Sequence, residues 1–357
     1  MSFNRIFILT GPIQTGKTSQ LLEWSKQTKS VAGLLSLVQH DKRNLFDLNT
    51  NTSIEFEVDL NLFQEPTLQI GKYHFSHKGF AKGIQCLKNA LNSPPDFLIL
   101  DEIGKLEIEQ NIGFHSIALE LIHQYKKPGS EILLLVIRDT LLEKAVEKYD
   151  LQNAIVLHKN DLLSLNALVL AGGESNRMGS DKSSIAYFEK PQDILLYDRL
   201  SAHCDKVFIS LRNTFQKEKN EEFQYLFDNK QFANSGPIGA LLSAIQLNPF
   251  CSWMLWACDY PLLEKSEMEM LILAAKNSKQ SIALSKNIES PEPVLAIYHF
   301  KDFVALLNSY SAGNQSLFAF LKSVKCACIQ IQSTEKLKSI DTPEERNWVF
   351  QIIKKHA

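Results

Sequence analysis

The chain lacks any run approaching the roughly 18 apolar residues of a membrane-spanning helix. Its longest, residues 132–137, is sized for a buried strand. It also lacks an excess of one charge: 38 Lys and Arg against 40 Asp and Glu leave a net charge of −2. That balance gives no electrostatic reason to expect nucleic acid or an anionic membrane as partner. The six cysteines show no paired metal spacing, and the nine histidines include no His-x-x-x-His pair, so no zinc site is expected. Only Cys326 and Cys328 lie close together. On an alternating strand both thiols face the same way, and a buried strand is predicted there rather than a metal or redox role. Internal repeats and low-complexity tracts are absent. No cleavable leader precedes the first apolar run at 6–10, so a cytoplasmic protein with reduced thiols is expected.

What is present is a 357-residue chain, 45% apolar and 22% charged, the composition of a soluble globular protein with length enough for two domains. The first half alternates strand-like runs at 6–10, 31–38, 97–100, 132–137 and 154–157 with helical patterns at 17–27, 78–91, 113–125 and 140–149. Residues 44–69 show no sustained period and read as irregular polar hairpins. After the polar stretch 158–161 the βα pattern starts afresh, with strands at 166–170, 206–210, 225–227, 252–257, 281–284 and 294–298. Strands alternating with helices predict parallel sheet units covered on both faces. The expected organisation is two α/β domains, residues 1–160 and 161–357. Most of the four tryptophans and 21 phenylalanines are assigned to their cores.

Two glycine-anchored loops carry the chemistry, each following a short apolar run. The first, Gly11-Pro12-Ile13-Gln14-Thr15-Gly16-Lys17-Thr18, has P-loop spacing. Backbone N–H groups between Gly11 and Gly16 would wrap nucleotide phosphates, and the following helix N-terminus favours negative charge. Lys17 would reach the β- and γ-phosphates and the Thr18 hydroxyl would ligate Mg²⁺. The strand at 97–100 ends in Asp101-Glu102. Asp101 is the candidate for the magnesium shell and Glu102 for the general base that polarises water.

The second loop runs from Leu170-Ala171-Gly172-Gly173 through Arg177 to Lys182. Its small residues let backbone N–H groups approach a nucleotide closely. Arg177 and Lys182 then supply charge where pyrophosphate would build up as leaving group. The apolar run 253–258 ends at Asp259, followed by Tyr260-Pro261. A carboxylate at a strand's C-terminal end lies where open α/β sheets bind ligands, which makes Asp259 the second candidate Mg²⁺ ligand.

The stretch Asp101-Glu102-Ile103-Gly104-Lys105, with the P-loop and Gly33-Leu34-Leu35-Ser36, resembles the thermophile-type nucleoside-triphosphatase family. The resemblance covers about the first 155 residues and implies slow, broad NTP hydrolysis. Residues 41–75 depart from the family, so whether Arg43 is its nucleotide-facing arginine stays open.

The second half resembles the molybdenum cofactor guanylyltransferase (MobA) family. Its loop matches the pattern Leu-Ala-Gly-Gly-x-Ser-x-Arg-Met-Gly-x-Asp-Lys, followed in order by Gly236-Pro237-Ile238-Gly239, Asp259-Tyr260-Pro261, Glu292-Pro293-Val294-Leu295-Ala296 and Asp341-Thr342-Pro343-Glu344. This implies a Rossmann-like nucleotidyltransferase domain. Leu170, Ala171 and Gly172 would touch the guanine nucleotide, Lys182 its phosphates, Asp228 the nucleoside side, and Asp259 both nucleotide and Mg²⁺. Family members often carry Asn then Arg after the strand at 207–210. This chain has Arg212-Asn213, and which of the two meets the base stays open. The implied reaction transfers GMP from GTP to molybdenum-molybdopterin, with molybdoenzyme maturation proteins as further candidate partners. A cytidylyltransferase on the same acceptor, a sugar-1-phosphate nucleotidyltransferase, and a nucleotide-dependent adaptor in cofactor delivery are the rivals. Gly172-Gly173 favours guanine by resemblance, because cytidylyl enzymes usually carry Ala-Gly there.

Overall fold

The structure, a computed structural model, describes residues 4–28, 30–60, 63, 65–171, 182–212, 220–287 and 289–356, with backbone alone at Lys182 and His356. The chain divides after Leu162 into two compact units.

The first unit runs β1 (Ile6–Thr10), α1 (Lys17–Ser25), β2 (Val31–Gln39), β3 (Lys42–Asp47), β4 (Thr52–Glu55), β5 (Glu57–Val58), β6 (Thr67–Ile70), β7 (Tyr73–Ser76), α2 (His77–Asn92), β8 (Phe97–Ile103), α3 (Lys105–Glu109), α4 (His115–Tyr125), β9 (Ile132–Ile137), α5 (Leu142–Lys148) and β10 (Ile155–His158). Its main sheet has the order β10-β1-β9-β8-β2-β3-β4. The five strands from β10 to β2 are parallel. Every residue of β1 and β9 is buried, as strands covered on both faces must be. Each fully buried Leu, Ile or Phe there contributes about 1.5–3 kcal/mol. Helix α2 starts where the Ser76 hydroxyl accepts from Gly79 N at 3.1 Å, and it buries Phe80, Gly83, Leu87 and Ala90 along one face.

The expectation of irregular structure at 44–69 is corrected. β2, β3 and β4 form an antiparallel extension of the main sheet, and β5, β7 and β6 form a separate small antiparallel sheet. These strands are short and partly exposed, so they carry no apolar alternation for a sequence pattern to register.

The second unit runs β11 (Leu165–Leu170), α6 (Gln192–Ser201), β12 (Lys206–Leu211), β13 (Tyr225–Phe227), α7 (Pro237–Leu247), β14 (Ser252–Ala257), α8 (Lys265–Ser278), β15 (Ile282–Ser285), β16 (Pro291–Tyr298), α9 (Phe303–Ser311), α10 (Leu317–Ser323), β17 (Ala327–Gln330) and α11 (Pro343–His356). Its sheet has the order β13-β12-β11-β14-β16-β15-β17. Strand β16 is antiparallel to both neighbours, so the sheet is mixed where parallel units were expected. A second correction concerns the cysteine pair: Cys326 precedes β17, and both Cys326 and Cys328 are only half-buried. The core holds Trp253 and Trp256, with the Trp253 indole N–H donating to Asn248 O at 2.9 Å. Helix α7 begins at Pro237 in its first turn. A Cβ on Gly239 would stand 2.4 Å from the Phe232 carbonyl oxygen, so only glycine lets the helix sit this low.

Candidate nucleotide sites

In the first unit the loop after β1 and the acidic pair ending β8 open on one edge of the sheet, with β9 between them. The loop backbone turns through left-handed conformations at Gln14 (φ 60°) and Gly16 (φ 82°) before α1 begins. Such a turn points successive N–H groups inward as an anion nest. Lys17 folds back over the loop and donates to Gly11 O at 2.8 Å and Pro12 O at 2.6 Å. Burial lowers the pKa of its ammonium, an effect that nearby Asp101 opposes.

Asp101 is 1% exposed. Its Oδ2 accepts from the Thr18 hydroxyl at 2.8 Å and from Ser36 N at 3.1 Å. Burial and then the neighbouring Glu102 raise its pKa. Gly33 explains how β2 delivers Ser36 to this carboxylate. Its φ is +120°, and a Cβ there would lie 1.9 Å from the Ile99 carbonyl oxygen. The strands therefore approach as closely as they do because residue 33 has no side chain.

Glu102 sits at φ 64°, where the β8–β9 register shifts between Leu100 and Ile103. Its carboxylate is half-exposed, beside the buried Asp101. Arg43 stands 3.8 Å from Glu102 and 3.2 Å from Glu57, with its guanidinium 4.7 Å from the centre of the Tyr73 ring. Arg43, Tyr73, Asp101, Glu102 and Arg138 line a common cleft of about 260 Å³. Lys17, Thr18, Asp101 and Glu102 are thus gathered at one sheet edge. Arg138 was missed because nothing in its local sequence marks it.

In the second unit a cleft of about 170 Å³ opens at the C-terminal ends of β11, β12 and β14. Its lining brings together Leu170, Ala171, Arg212, Asp228 and Asp259, five of the residues given roles from sequence, with Gly236 and Pro237 of the quoted Gly-Pro-Ile-Gly stretch, and adds Ser183 and Ser210. Gly172, Gly173, Arg177 and Asn213 lie outside the described residues, and Lys182 opens a short 3-10 turn whose next residue lines the cleft. Half-burial pushes the Asp228 carboxyl up to about 6, with Arg212 pulling the other way. Asp259 lies two residues past the end of β14, and its Oδ2 accepts from the Ser339 hydroxyl at 3.0 Å. Ser339 also lies 3.1 Å from Asp341 Oδ2, and since one hydroxyl carries one proton it serves one carboxylate at a time. Beside them the Tyr260 hydroxyl donates to Glu292, whose pKa burial raises. Ser339 was not picked out from sequence, although it lies two residues before the quoted Asp341.

Both units are therefore nucleotide-binding α/β folds with the site at the C-terminal edge of a largely parallel sheet, the first built on a P-loop. Residues 6–161 match the family model described as NTPase, and residues 167–327 match the model described as MobA-like NTP transferase domain. The chain carries one domain of each family, in that order. A relative from Synechocystis sp., named molybdenum cofactor biosynthesis bifunctional protein, is 28% identical over 243 residues, 67% of this chain and 66% of the relative. The chain thus spans just under two thirds of that relative. A probable molybdenum cofactor guanylyltransferase from Halalkalibacterium halodurans is 28% identical over 50% of this chain and 93% of its own length. Among solved structures, molybdopterin-guanine dinucleotide biosynthesis protein A from Archaeoglobus fulgidus aligns over 53% of this chain and 99% of its own, at 19% identity and TM-score 0.45. No described helix is long and apolar enough to cross a membrane.

Proposed function

We propose that the second unit transfers GMP from GTP to the terminal phosphate of molybdenum-molybdopterin, and that the first unit binds and hydrolyses NTP. The observation that carries the first half is the cleft in which Leu170, Ala171, Arg212, Asp228 and Asp259 converge. The names of the relatives supply the acceptor.

An oxygen of the acceptor phosphate attacks the α-phosphorus of GTP. The bond from that phosphorus to the α–β bridging oxygen breaks, and pyrophosphate leaves with the electron pair. No covalent enzyme intermediate is needed, because the acceptor phosphate is itself the nucleophile. Leu170 and Ala171 border the nucleotide with Gly172 and Gly173, and Arg212 and Asp228 border the nucleoside. Lys182 and Arg177 offset the charge that builds on the leaving group.

Mg²⁺ suits the donors present in both units. In the first, the Thr18 hydroxyl and an Asp101 carboxylate oxygen stand 2.8 Å apart. Both are hard oxygen donors of the kind Mg²⁺ takes, and they would hold it there. In the second, Asp259 is the hard oxygen ligand. Among the described residues no group of three or more His, Cys, Asp or Glu could hold a metal. Magnesium tolerates this because it takes one or two carboxylates and draws its other ligands from water and phosphate. There it would screen the phosphates, while Glu102 of the first unit accepts the proton of the attacking water.

Pyrophosphate release is measured with the purified chain, molybdenum-molybdopterin and either GTP or CTP. Release with GTP and not CTP is expected. A preference for CTP would make the chain a cytidylyltransferase, and turnover with sugar 1-phosphates in place of the pterin would overturn the acceptor. The closest support for a cytoplasmic setting is the soluble chemistry of these substrates.

A further inference from the structure

Arg138 has no role in the site as described so far, yet the topology sets it in the middle of it. β9 lies between β1, which feeds the P-loop, and β8, which carries Asp101-Glu102 just before its last residue. Leu9 pairs with Val136, so two residues further along the two strands Arg138 comes level with Gly11, the first P-loop glycine. On the other side Ile137 pairs with Ile103, immediately after Glu102. Arg138 lines the same cleft as Asp101 and Glu102, and its charge is felt at the Lys17 ammonium.

Its side chain is half-buried and, among the described residues, makes no hydrogen bond, ion pair or ring contact. The other cations lining the cleft are engaged or outlying. Arg43 is held between Glu57 and Glu102, Lys72 lies 5.4 Å from the Tyr73 ring centre, and Lys105 is exposed on α3. A half-buried guanidinium is costly without an anion to bind, and its planar fork of donors matches phosphate oxygens.

We propose that Arg138 is a catalytic residue of the first unit, an arginine supplied by the chain itself that binds the transferring γ-phosphoryl group in the transition state. This rests on the reading of the first unit as an NTP hydrolase. In that step the water oxygen bonds to the γ-phosphorus, and the bond to the β–γ bridging oxygen breaks with its electron pair staying on the diphosphate. Glu102 takes the proton of the water. Lys17 serves the β- and γ-phosphates from the loop side. Arg138 faces them from just past the strand between loop and base, while Lys159, whose Nζ stands 3.4 Å from the place a Cβ on Gly16 would take, approaches the loop from the β10 side.

The test uses the full chain and phosphate release from GTP and ATP. Wild-type turnover that Lys17→Ala abolishes establishes the parent reading, and a chain with no turnover overturns both. Arg138→Ala is expected to lower kcat at least about a hundredfold while KM stays within about threefold, with Arg138→Lys recovering part of the loss. Diphosphate with Mg²⁺ and aluminium fluoride, which imitates the transferring phosphoryl group, should bind wild type tightly and Arg138→Ala no better than diphosphate alone. Unchanged kcat, or equal loss of plain diphosphate binding and analogue binding, overturns the assignment. An unchanged thermal transition of Arg138→Ala separates these outcomes from misfolding.

Discussion

Replacing Glu102 by glycine should cut hydrolysis in the first unit at least about a hundredfold without destabilising it. The residue stands at φ 64°. A residue with a Cβ costs about 1–2 kcal/mol in that conformation. Glycine escapes this but gives up about 0.5–1 kcal/mol to the freedom of its unfolded chain. At the middle of both ranges the difference favours the variant by about 0.75 kcal/mol. The ion pair that would be lost is a loose one, 3.8 Å from Arg43 with the Glu102 side chain 35% exposed, and such pairs contribute no more than about 0.5 kcal/mol. Removing Glu102 also relieves the repulsion that raises the pKa of buried Asp101. Hydrogen exchange at the β8 and β9 amides reports the first unit alone, and it should show protection unchanged or raised by up to about 1 kcal/mol. Phosphate release should fall by about 10²–10⁴, the usual contribution of a general base. Glu102→Gln is the companion variant, keeping the backbone strain and losing the base. Protection lowered by more than about 1 kcal/mol, or hydrolysis retained in both variants, would refute the reasoning.

Gly33→Ala drives a Cβ to 1.9 Å from the Ile99 carbonyl oxygen at φ +120° and should cost on the order of 3 kcal/mol or more, read as a lowered first thermal transition. His299 is 6% exposed, accepts from Lys301 N, and burial pushes its imidazole down to about 3. The unfolded chain therefore binds a proton below about pH 6.5 that the folded chain refuses. The stability of the second unit should fall on acidification from there by up to about 1.4 kcal/mol per pH unit, and His299→Asn should flatten the slope in denaturant titrations at pH 5 and 7. Lys182→Ala should cut guanylyl transfer about a hundredfold while sparing phosphate release by the first unit, and Lys17→Ala should do the reverse. Parallel assays on both variants check this, and equal loss of both activities in either would contradict independent chemistry.

How much of this was legible in the sequence depended on the range of the interaction. Runs such as residues 6–10, 132–137 and 252–257 announced buried strands, because continuous burial leaves a continuous apolar signal. Direction left no such trace: residues 294–298 read as a strand, but their antiparallel setting is fixed by partners in β14 and β15. The P-loop and the Asp101-Glu102 pair were readable because loop, helix start and strand end are local features. The 65-residue reach from Ser36 N to Asp101, and the 80-residue reach from Ser339 to Asp259, were not. Gly33 and Gly239 showed as bare letters, and the backbones they admit became visible only in the fold.

Because β16 alone runs against the rest of its sheet, the turn that links it to β15 hangs over the same edge as Asp259, where the parallel strands finish. A catalytic rim is usually built only from strand ends, but here one strand also begins on it, placing Glu292 beside Tyr260. That turn can lengthen, shorten or change charge without altering the spacing of the strands that carry Leu170 and Asp259. The head of β16 can therefore vary in such a domain while the strand ends beside it keep their places.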